Sequence, residues 1–230
     1  MILVIAAQDD AVAHWLTHSW SGDDAVLITP SSLSARGWQF RISAAGEQTL
    51  AIDEQRVVQK SAVRGVYTRL THVRETDLAQ IEAADRTYVA SEMTAFLRGW
   101  LSSLTCNVVN PATSGCLAGP YWRPERWICA AAELGMRVRP VSRSVPSPTV
   151  GEANRTYVAV TVIGQQWFGD VEQSVGATAL SLARQSHAEV LQTFFVRDES
   201  DSLTFVGADL FPEFTNPALR DALRERLLAA

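Results

Sequence analysis

Lysine is almost absent from this chain. Of its 20 basic residues, Lys60 is the only lysine, and all the others are arginines. A mechanism that needs a lysine, as a Schiff base or as a clamp on a phosphate, must use Lys60 or do without one. Apart from Lys60, arginine is the only side chain here that offers a permanent positive charge.

Cysteines, blocks of charge and long apolar stretches are also scarce. Cys106, Cys116 and Cys129 form no CxxC pair and have no neighbouring histidine cluster, a pattern typical of free thiols in a reducing compartment. The net charge is −5 without any block of like charges, which argues against nucleic-acid or acidic-membrane binding. The start, MILVIAAQDD, has no basic n-region, and no stretch reaches the roughly 18 apolar residues of a membrane span. These features predict a cytoplasmic protein that binds neither nucleic acid nor membrane.

The common catalytic motifs are missing as well. There is no GxSxG elbow, no GxGxxG after the first strand and no Walker A sequence. His14 and His18 stand four residues apart on a predicted helix, a spacing that can bind metal. No HExxH context accompanies them, so two surface histidines are the preferred interpretation. The residues by themselves therefore do not reveal an active site.

Apolar runs predict an N-terminal lobe in which strands and helices alternate. Residues 2–7 (ILVIAA) are typical of a buried parallel strand, and Asp9 or Asp10 can cap the helix that follows. A second apolar strand, AVLITP, completes a β-α-β start and favours a doubly wound sheet. The next predicted elements are a hairpin around Ala45-Gly46, a strand at 63–70, and a helical apolar stripe from Thr76 to Leu104.

Residues 110–136 combine an Asn-Pro turn, a loop and a helix. Pro124 suits the first helical turn, and Gly135 suits a helix stop. Arg123 stands immediately before this helix. Because a helix dipole disfavours a cation at its N-terminus, Arg123 is either simply solvated or meets an anion.

The composition changes at residues 138–155, where three prolines and several Ser, Thr and Asn residues predict a linker or exposed loop. The simplest organisation is therefore two lobes that join near residue 145 and cover 1–145 and 146–230. The second lobe is predicted to hold two strand pairs, a helix from Gly176 to His187, and a last helix from about Asn216 to Leu228.

Four stretches, in the right order, carry a family resemblance. VYTRL resembles a family strand with an arginine near its end, here Arg69, and SEMTAFLRGWLSSL resembles a family helix that carries a glutamate, here Glu92. VVNP resembles the family's entry turn, here Asn110-Pro111. RPERWICAAAELGMRVRP resembles a run that begins with Lys-Pro and continues as a helix, with Arg123 in place of the lysine. Over about residues 63–140 the chain thus resembles the ATP-grasp superfamily. It is most similar to the maturases of ribosomally made, ester- and amide-linked peptides and to the ribosomal-protein glutamate ligases.

This resemblance implies an α/β protein with an N-terminal, doubly wound, pre-ATP-grasp-like lobe and an ATP-grasp-like C-terminal lobe. It also implies ATP and Mg²⁺ as the cofactors of an active member. The ligand-binding residues that it suggests are Arg69, Asn110 and Arg123.

The C-terminal lobe departs from the family pattern. The metal-binding acid of the penultimate strand falls at Thr193, and the Glu and Asn of the last motif fall at Gly207 and Asp209. The family also has a small lid subdomain with a lysine and a mobile loop, where this chain has only the 15 residues SRSVPSPTVGEANRT. The resemblance therefore implies a reduced lobe that lacks the lid, with Asp209 as a weak metal ligand.

Three functions remain open at this point. The first is a non-catalytic accessory protein that binds a ligase or a precursor peptide in the cleft between the lobes, with homo-oligomerisation as a further arrangement. The second is a trimmed but active ATP-dependent carboxylate–amine ligase, in which Arg123 holds phosphate, Asp209 holds the metal and Arg69 binds a substrate carboxylate. The third is an enzyme that needs no nucleotide, for which the sequence offers no nucleophile.

Overall fold

The computed structural model describes residues 1–20, 22, 25–51, 57–141, 157–198 and 201–229. The chain forms two compact units, one of Met1–Tyr121 with Glu213–Ala230 and one of Trp122–Pro212. The lobe boundary expected near residue 145 and the segment 142–156, which the resemblance aligns with the lid of the family, lie outside the described residues. None of the described helices is long and apolar enough to cross a membrane.

The elements follow one another in this order: β1 (Ile2–Ile5), α1 (Ala11–Ser19), β2 (Ala25–Ile28), β3 (Gln39–Ile42), β4 (Gln48–Ala51), β5 (Val57–Gln59), β6 (Gly65–Thr68), α2 (Arg86–Ser103), β7 (Asn107–Val109), α3 (Pro124–Glu133), β8 (Tyr157–Ile163), β9 (Gln166–Phe168), α4 (Gln173–Ser186), β10 (Val190–Arg197), β11 (Leu203–Asp209) and α5 (Pro217–Leu228).

A parallel sheet of order β2-β1-β6-β7 forms the centre of the first unit. β1 and β6 are buried at every position, which is why their sequences read as continuous apolar runs. Successive side chains point to opposite faces of a strand. In β6, Tyr67 therefore faces Phe214, which precedes α5, while Val66 faces the core that contains Leu97 of α2. Because helices cover both faces, the predicted doubly wound arrangement is confirmed.

The predicted hairpin is also confirmed. β3, β4 and β5 form a separate antiparallel sheet, and the β3–β4 turn places Gly46 at φ +80°, a conformation that favours glycine. The Ser43 amide donates to the Glu47 carbonyl and closes the turn. Leu50 and Val58 of this sheet join the core on the α2 side of the parallel sheet.

The long helix predicted from Thr76 is wrong at its N-terminal end. Glu75–Leu78 is a short 3-10 turn, and α2 begins only at Arg86. The Arg86 guanidinium donates to the carbonyls of Ile81 (2.8 Å) and Ala79 (3.0 Å). These carbonyls are thereby satisfied by a side chain rather than by the backbone amides of a continuous helix.

The second unit is an antiparallel sheet of order β11-β10-β8-β9. Its apolar face packs against α3 and α4 around a core that includes Trp127, Leu182 and Phe205. The register of β10 and β11 shifts between Phe194 and Phe195, where β11 bulges. As predicted, α3 begins at Pro124, and Gly135 follows it with φ +79°.

Gly65 allows α5 to lie directly on β6. A Cβ atom built on Gly65 would be 2.8 Å from Leu227 Cβ and closer still to the Leu227 carbonyl oxygen. We expect Gly65→Ala to lower the free energy of unfolding by at least about 2 kcal/mol, because backbone cannot yield to the added methyl group. Urea denaturation of the whole chain measures this change.

Gly99→Ala is the matched control. Gly99 lies on the exposed side of α2 with no atom near its added Cβ, so alanine should raise the free energy of unfolding by roughly 0.5–1 kcal/mol. Equal effects of the two substitutions would contradict the close approach of α5 to β6.

Candidate functional site

The carboxyl ends of the parallel strands in the first unit form the candidate site. β2 lies on one side of β1, and β7 lies on the other side of β6, so the direction of chain winding reverses between β1 and β6. Ligands of open α/β sheets bind outside the carboxyl ends of the strands at such a switch point. Asp10 follows β1 and Arg69 follows β6 at this place.

Asp10 and Arg69 form an ion pair that is largely buried. Arg69 Nε donates to Asp10 Oδ2 at 2.8 Å, and the two side chains are 7% and 16% exposed. The Arg69 amide also donates to the Ile5 carbonyl at 2.7 Å, which extends the pairing of β1 and β6 by one bond. Although desolvation lowers the pKa of Arg69, its neighbours Tyr67 and Asp10 outweigh this effect and raise the pKa. Arg69 therefore keeps its positive charge at neutral pH.

Asp10 also begins helix α1. Its Oδ1 accepts from the Ala13 amide at 2.9 Å, as in a helix N-cap. One carboxylate thus uses one oxygen for the helix and the other for Arg69. The sequence predicted Asp10 only as a helix cap, because its ion pair joins residues 59 positions apart.

The same edge of the sheet holds an unsatisfied hydroxyl group. Thr68 is 1% exposed, and its Oγ1 has no hydrogen-bond partner among the residues that the structure describes. Immediately after β2, at the same edge, the Thr29 hydroxyl donates to Gln8 Oε1 at 3.1 Å. Buried polar atoms are rarely left unpaired, so the Thr68 hydroxyl is an exception beside the ion pair of Arg69.

Asn110, the second predicted ligand-binding residue, follows the neighbouring strand β7. It is 1% exposed and takes a left-handed conformation with φ 52°. A Cβ atom on Gly119 would come within 2.9 Å of Asn110 Cβ, so the two backbones pack closely. Asn110 therefore shapes the turn at the carboxyl edge, and its contact with a ligand stays a prediction.

Arg123, the third predicted residue, lies in the second unit as the N-cap residue of α3. It is exposed, and its side chain makes no capping hydrogen bond. Its carbonyl accepts from the Arg126 amide at 2.9 Å. One turn on, the Arg126 guanidinium stacks over the Trp122 ring at 4.2 Å. Arg123 keeps its predicted place at the mouth of the helix, while its role towards a phosphate stays a prediction.

The three positions expected to hold a metal ion lie on β10 and β11. Thr193 is fully buried, and its hydroxyl donates to the Val160 carbonyl at 3.0 Å. Gly207 pairs with Phe194 and offers no side chain. Asp209 is exposed at the end of β11, and its Oδ1 accepts from the Phe211 amide at 3.2 Å.

This arrangement does not fit a protein-bound Mg²⁺ ion. Mg²⁺ is usually held by one or two carboxylates together with phosphate oxygens and water in an octahedral shell, and only one carboxylate is present here. In the described part of the chain, no group of three or more His, Cys, Asp or Glu residues is placed to hold a metal. The exposed side chains of His14 and His18 agree with their interpretation as surface residues.

The thiols do not supply a reactive group at the carboxyl edge. Desolvation raises the pKa of both Cys106 and Cys116, which favours the neutral thiol over the nucleophilic thiolate. Cys129 is exposed on α3 in the other unit.

No family model and no curated protein matches this sequence. Solved structures do match it over nearly their whole length. The macrocyclase MdnC from Microcystis aeruginosa MRC, bound with precursor peptide MdnA, is 10% identical, with a TM-score of 0.75 over 100% of this chain and 99% of that one. A RiPP-associated ATP-grasp ligase from Chryseobacterium gregarium, in complex with ADP and a leader and core peptide, is 11% identical, with a TM-score of 0.68 over 98% and 96%.

A more distant match is D-alanine-D-alanine ligase from Aeromonas hydrophila, at 11% identity and a TM-score of 0.55 over 100% of this chain and 99% of that one. At such low identities these likenesses establish the fold. The α/β, ATP-grasp-like fold expected from the sequence is confirmed.

We expect Asp10→Asn to lower the free energy of unfolding by about 3 kcal/mol. Asparagine still caps α1, but Arg69 is left as a mostly buried charge without its anionic partner. Chemical denaturation at neutral pH measures the change.

Asp9→Asn serves as the control on the adjacent residue. The Asp9 side chain is 87% exposed and 3.9 Å from Arg74, so its loss should change the free energy of unfolding by less than about 0.5 kcal/mol. If Asp10→Asn proved as mild as Asp9→Asn, the ion pair would not be a structural element of the site.

Proposed function

We propose that this chain, whose fold is that of ATP-grasp ligases, is a non-catalytic protein that binds a peptide or an accessory partner. The observation that carries the proposal is the state of β10 and β11. Thr193 and Gly207 stand where the resemblance expects metal-binding side chains, and Asp209 is the one carboxylate among these three positions.

Phosphoryl transfer makes strong demands on such positions. The protein contributes little covalent chemistry to it, and catalysis comes from placed cations that neutralise the transferring phosphate. The Thr193 hydroxyl donates a hydrogen bond to the Val160 carbonyl of the same sheet, so this side chain stabilises the sheet instead of binding an ion. A lone, exposed Asp209 supports at most weak binding of a metal that a nucleotide brings with it.

The available cations support the same proposal. Lys60, the single lysine, lies in the first unit in the 3-10 turn Lys60–Ala62. Arg123 is exposed at a helix N-terminus, where the dipole adds no attraction for a cation. A single exposed arginine binds a phosphate group through one or two hydrogen bonds and cannot enclose a triphosphate.

The peptide part of the proposal comes from the proteins with similar folds. MdnC and the Chryseobacterium gregarium ligase were solved with precursor, leader or core peptides. A chain that keeps their fold with a single carboxylate at the three expected metal-binding positions would retain the binding function and lose the ligation. Its partner is then a precursor peptide, or a ligase that acts on that peptide.

Calorimetric titration of the whole chain with ATP, with and without Mg²⁺, tests the proposal. We expect any ATP affinity to be weaker than about 1 mM, which corresponds to about 4 kcal/mol, and not to improve when Mg²⁺ is added. Asp209→Asn should leave the titration almost unchanged, because a lone, exposed carboxylate adds little to the binding of a metal ion.

Arg123→Ala is the companion variant. Micromolar Mg-ATP binding that disappears in Arg123→Ala or Asp209→Asn would overturn the proposal and support an active carboxylate–amine ligase. Weak, Mg²⁺-independent binding in all three proteins agrees with a non-catalytic role.

A further inference from the structure

A long groove lies in the first unit between the segment after β6 and helix α2. Its volume is about 740 Å³, and it is lined on one side by residues His72–Thr76 and along its floor by the face of α2 from Thr87 to Arg98. We call it the Arg98 groove. It lies outside the set of residues that the sequence suggested as ligand-binding.

The floor of the Arg98 groove is one face of α2. Thr87, Ser91, Thr94 and Arg98 follow one another at spacings of four, three and four, so they lie on the same side of the helix. At about 1.5 Å per residue this face is roughly 16 Å long. An extended peptide rises about 3.3 Å per residue, so about five residues would cover it.

The side chains on this face of α2 are mostly small and carry hydroxyl groups, so they leave space above the helix and make its surface polar. The Ser91 hydroxyl donates to the Thr87 carbonyl at 3.1 Å, and the Thr94 hydroxyl donates to the Ala90 carbonyl at 2.8 Å. Both donor hydrogens are thus used within the helix. The remaining oxygen lone pairs can accept hydrogen bonds, and Thr94 already accepts one from the Val73 amide.

Arg98 ends the groove with a guanidinium group that none of the described residues neutralises. Its Nε is buried from solvent and has no hydrogen-bond partner among the described residues, and Arg98 takes part in no ion pair there. Arg74, across the groove, differs in this respect. Its Nη2 lies 2.7 Å from Asp77 Oδ1, and the hydrogen bond with Asp77 raises the pKa of Arg74.

A desolvated donor without an acceptor destabilises a folded protein. Such exceptions to local satisfaction concentrate where a protein binds something. The natural acceptor for a guanidinium is a carboxylate, which it binds through two parallel hydrogen bonds.

We infer that the Arg98 groove binds an extended peptide segment in which an aspartate or glutamate side chain pairs with Arg98. This inference deepens the proposed function and rests on it. Glu75 at the other end of the groove accepts from the Thr87 hydroxyl at 2.7 Å, and its carboxylate can also accept from a peptide amide. The negative charge of Glu75 disfavours a ligand of higher negative charge density than one carboxylate, such as free phosphate.

An array of immobilised pentapeptides, with every position varied over the 20 amino acids, tests the inference. The labelled whole chain is applied to the array as the wild type and as the variants Arg98→Gln and Arg64→Gln. Arg64 is an exposed arginine of the same unit outside the groove. We expect the wild type and Arg64→Gln to select peptides with one acidic residue, and Arg98→Gln to bind those peptides at least tenfold more weakly.

Thermal denaturation shows that the variants are folded. Because Arg98→Gln removes an unpaired charge, its midpoint should equal or exceed that of the wild type. Solution titrations then compare one selected peptide with its Asp→Asn or Glu→Gln form and with inorganic phosphate. Displacement of the peptide by low-millimolar phosphate would identify a simple anion site and overturn the inference.

The remaining outcomes separate the two proposals. Peptides that bind without an acidic preference, or that bind Arg98→Gln as tightly as the wild type, would overturn the role of the Arg98 groove and leave a peptide-binding function in place. If no peptide bound to any of the proteins, both the inference and the peptide part of the proposed function would be overturned.

Discussion

The ion pair between Asp10 and Arg69 joins the segments that follow β1 and β6, the two central strands of the parallel sheet in the first unit. One carboxylate fixes the start of α1, the exit of β1 and the exit of β6, where the winding of the sheet reverses. The charges are satisfied inside the protein, so the carboxyl edge can keep polar groups in an otherwise apolar layer. The neighbouring Thr68 hydroxyl and the left-handed turn at Asn110 are positioned by the ends of the same parallel strands.

Much of the fold follows from local features of the sequence. Buried parallel strands need apolar residues on both faces, and β1 and β6 showed this directly. Pro124 and Gly135 bounded α3 because proline and glycine have strong conformational preferences at the two ends of a helix. The start of α2 was not predictable in this way, since it depends on the Arg86 side chain reaching carbonyl groups that precede it.

The site was less predictable than the fold. Arg69 could be singled out only through a family resemblance, and its partner Asp10 is distant in the sequence. Arg98 was hidden inside a stripe that reads as an ordinary amphipathic helix, because the lack of a partner is a property of the folded chain. A sequence shows which charges are present, but three-dimensional packing decides which of them are neutralised.

The second unit keeps an ATP-grasp-like fold although Thr193 and Gly207 occupy strand positions where the resemblance expects metal-binding side chains. The hydroxyl of Thr193 and the bulge beside Phe194 serve the sheet itself, and the core formed with α3 and α4 does not depend on any ion. The architecture is held by packing that is independent of the strand positions where a metal would sit.

The contact between Gly65 and Leu227 has a consequence for the folding of the protein during its synthesis on the ribosome. α5 belongs to the first unit although the whole second unit, Trp122–Pro212, is synthesised in between. The face of the parallel sheet that α5 covers therefore stays without this helix while about 90 further residues are translated, at roughly 5–20 residues per second. The inserted unit contains all of its own strands and helices and can complete its core first, so the part of the chain that is made first finishes folding last.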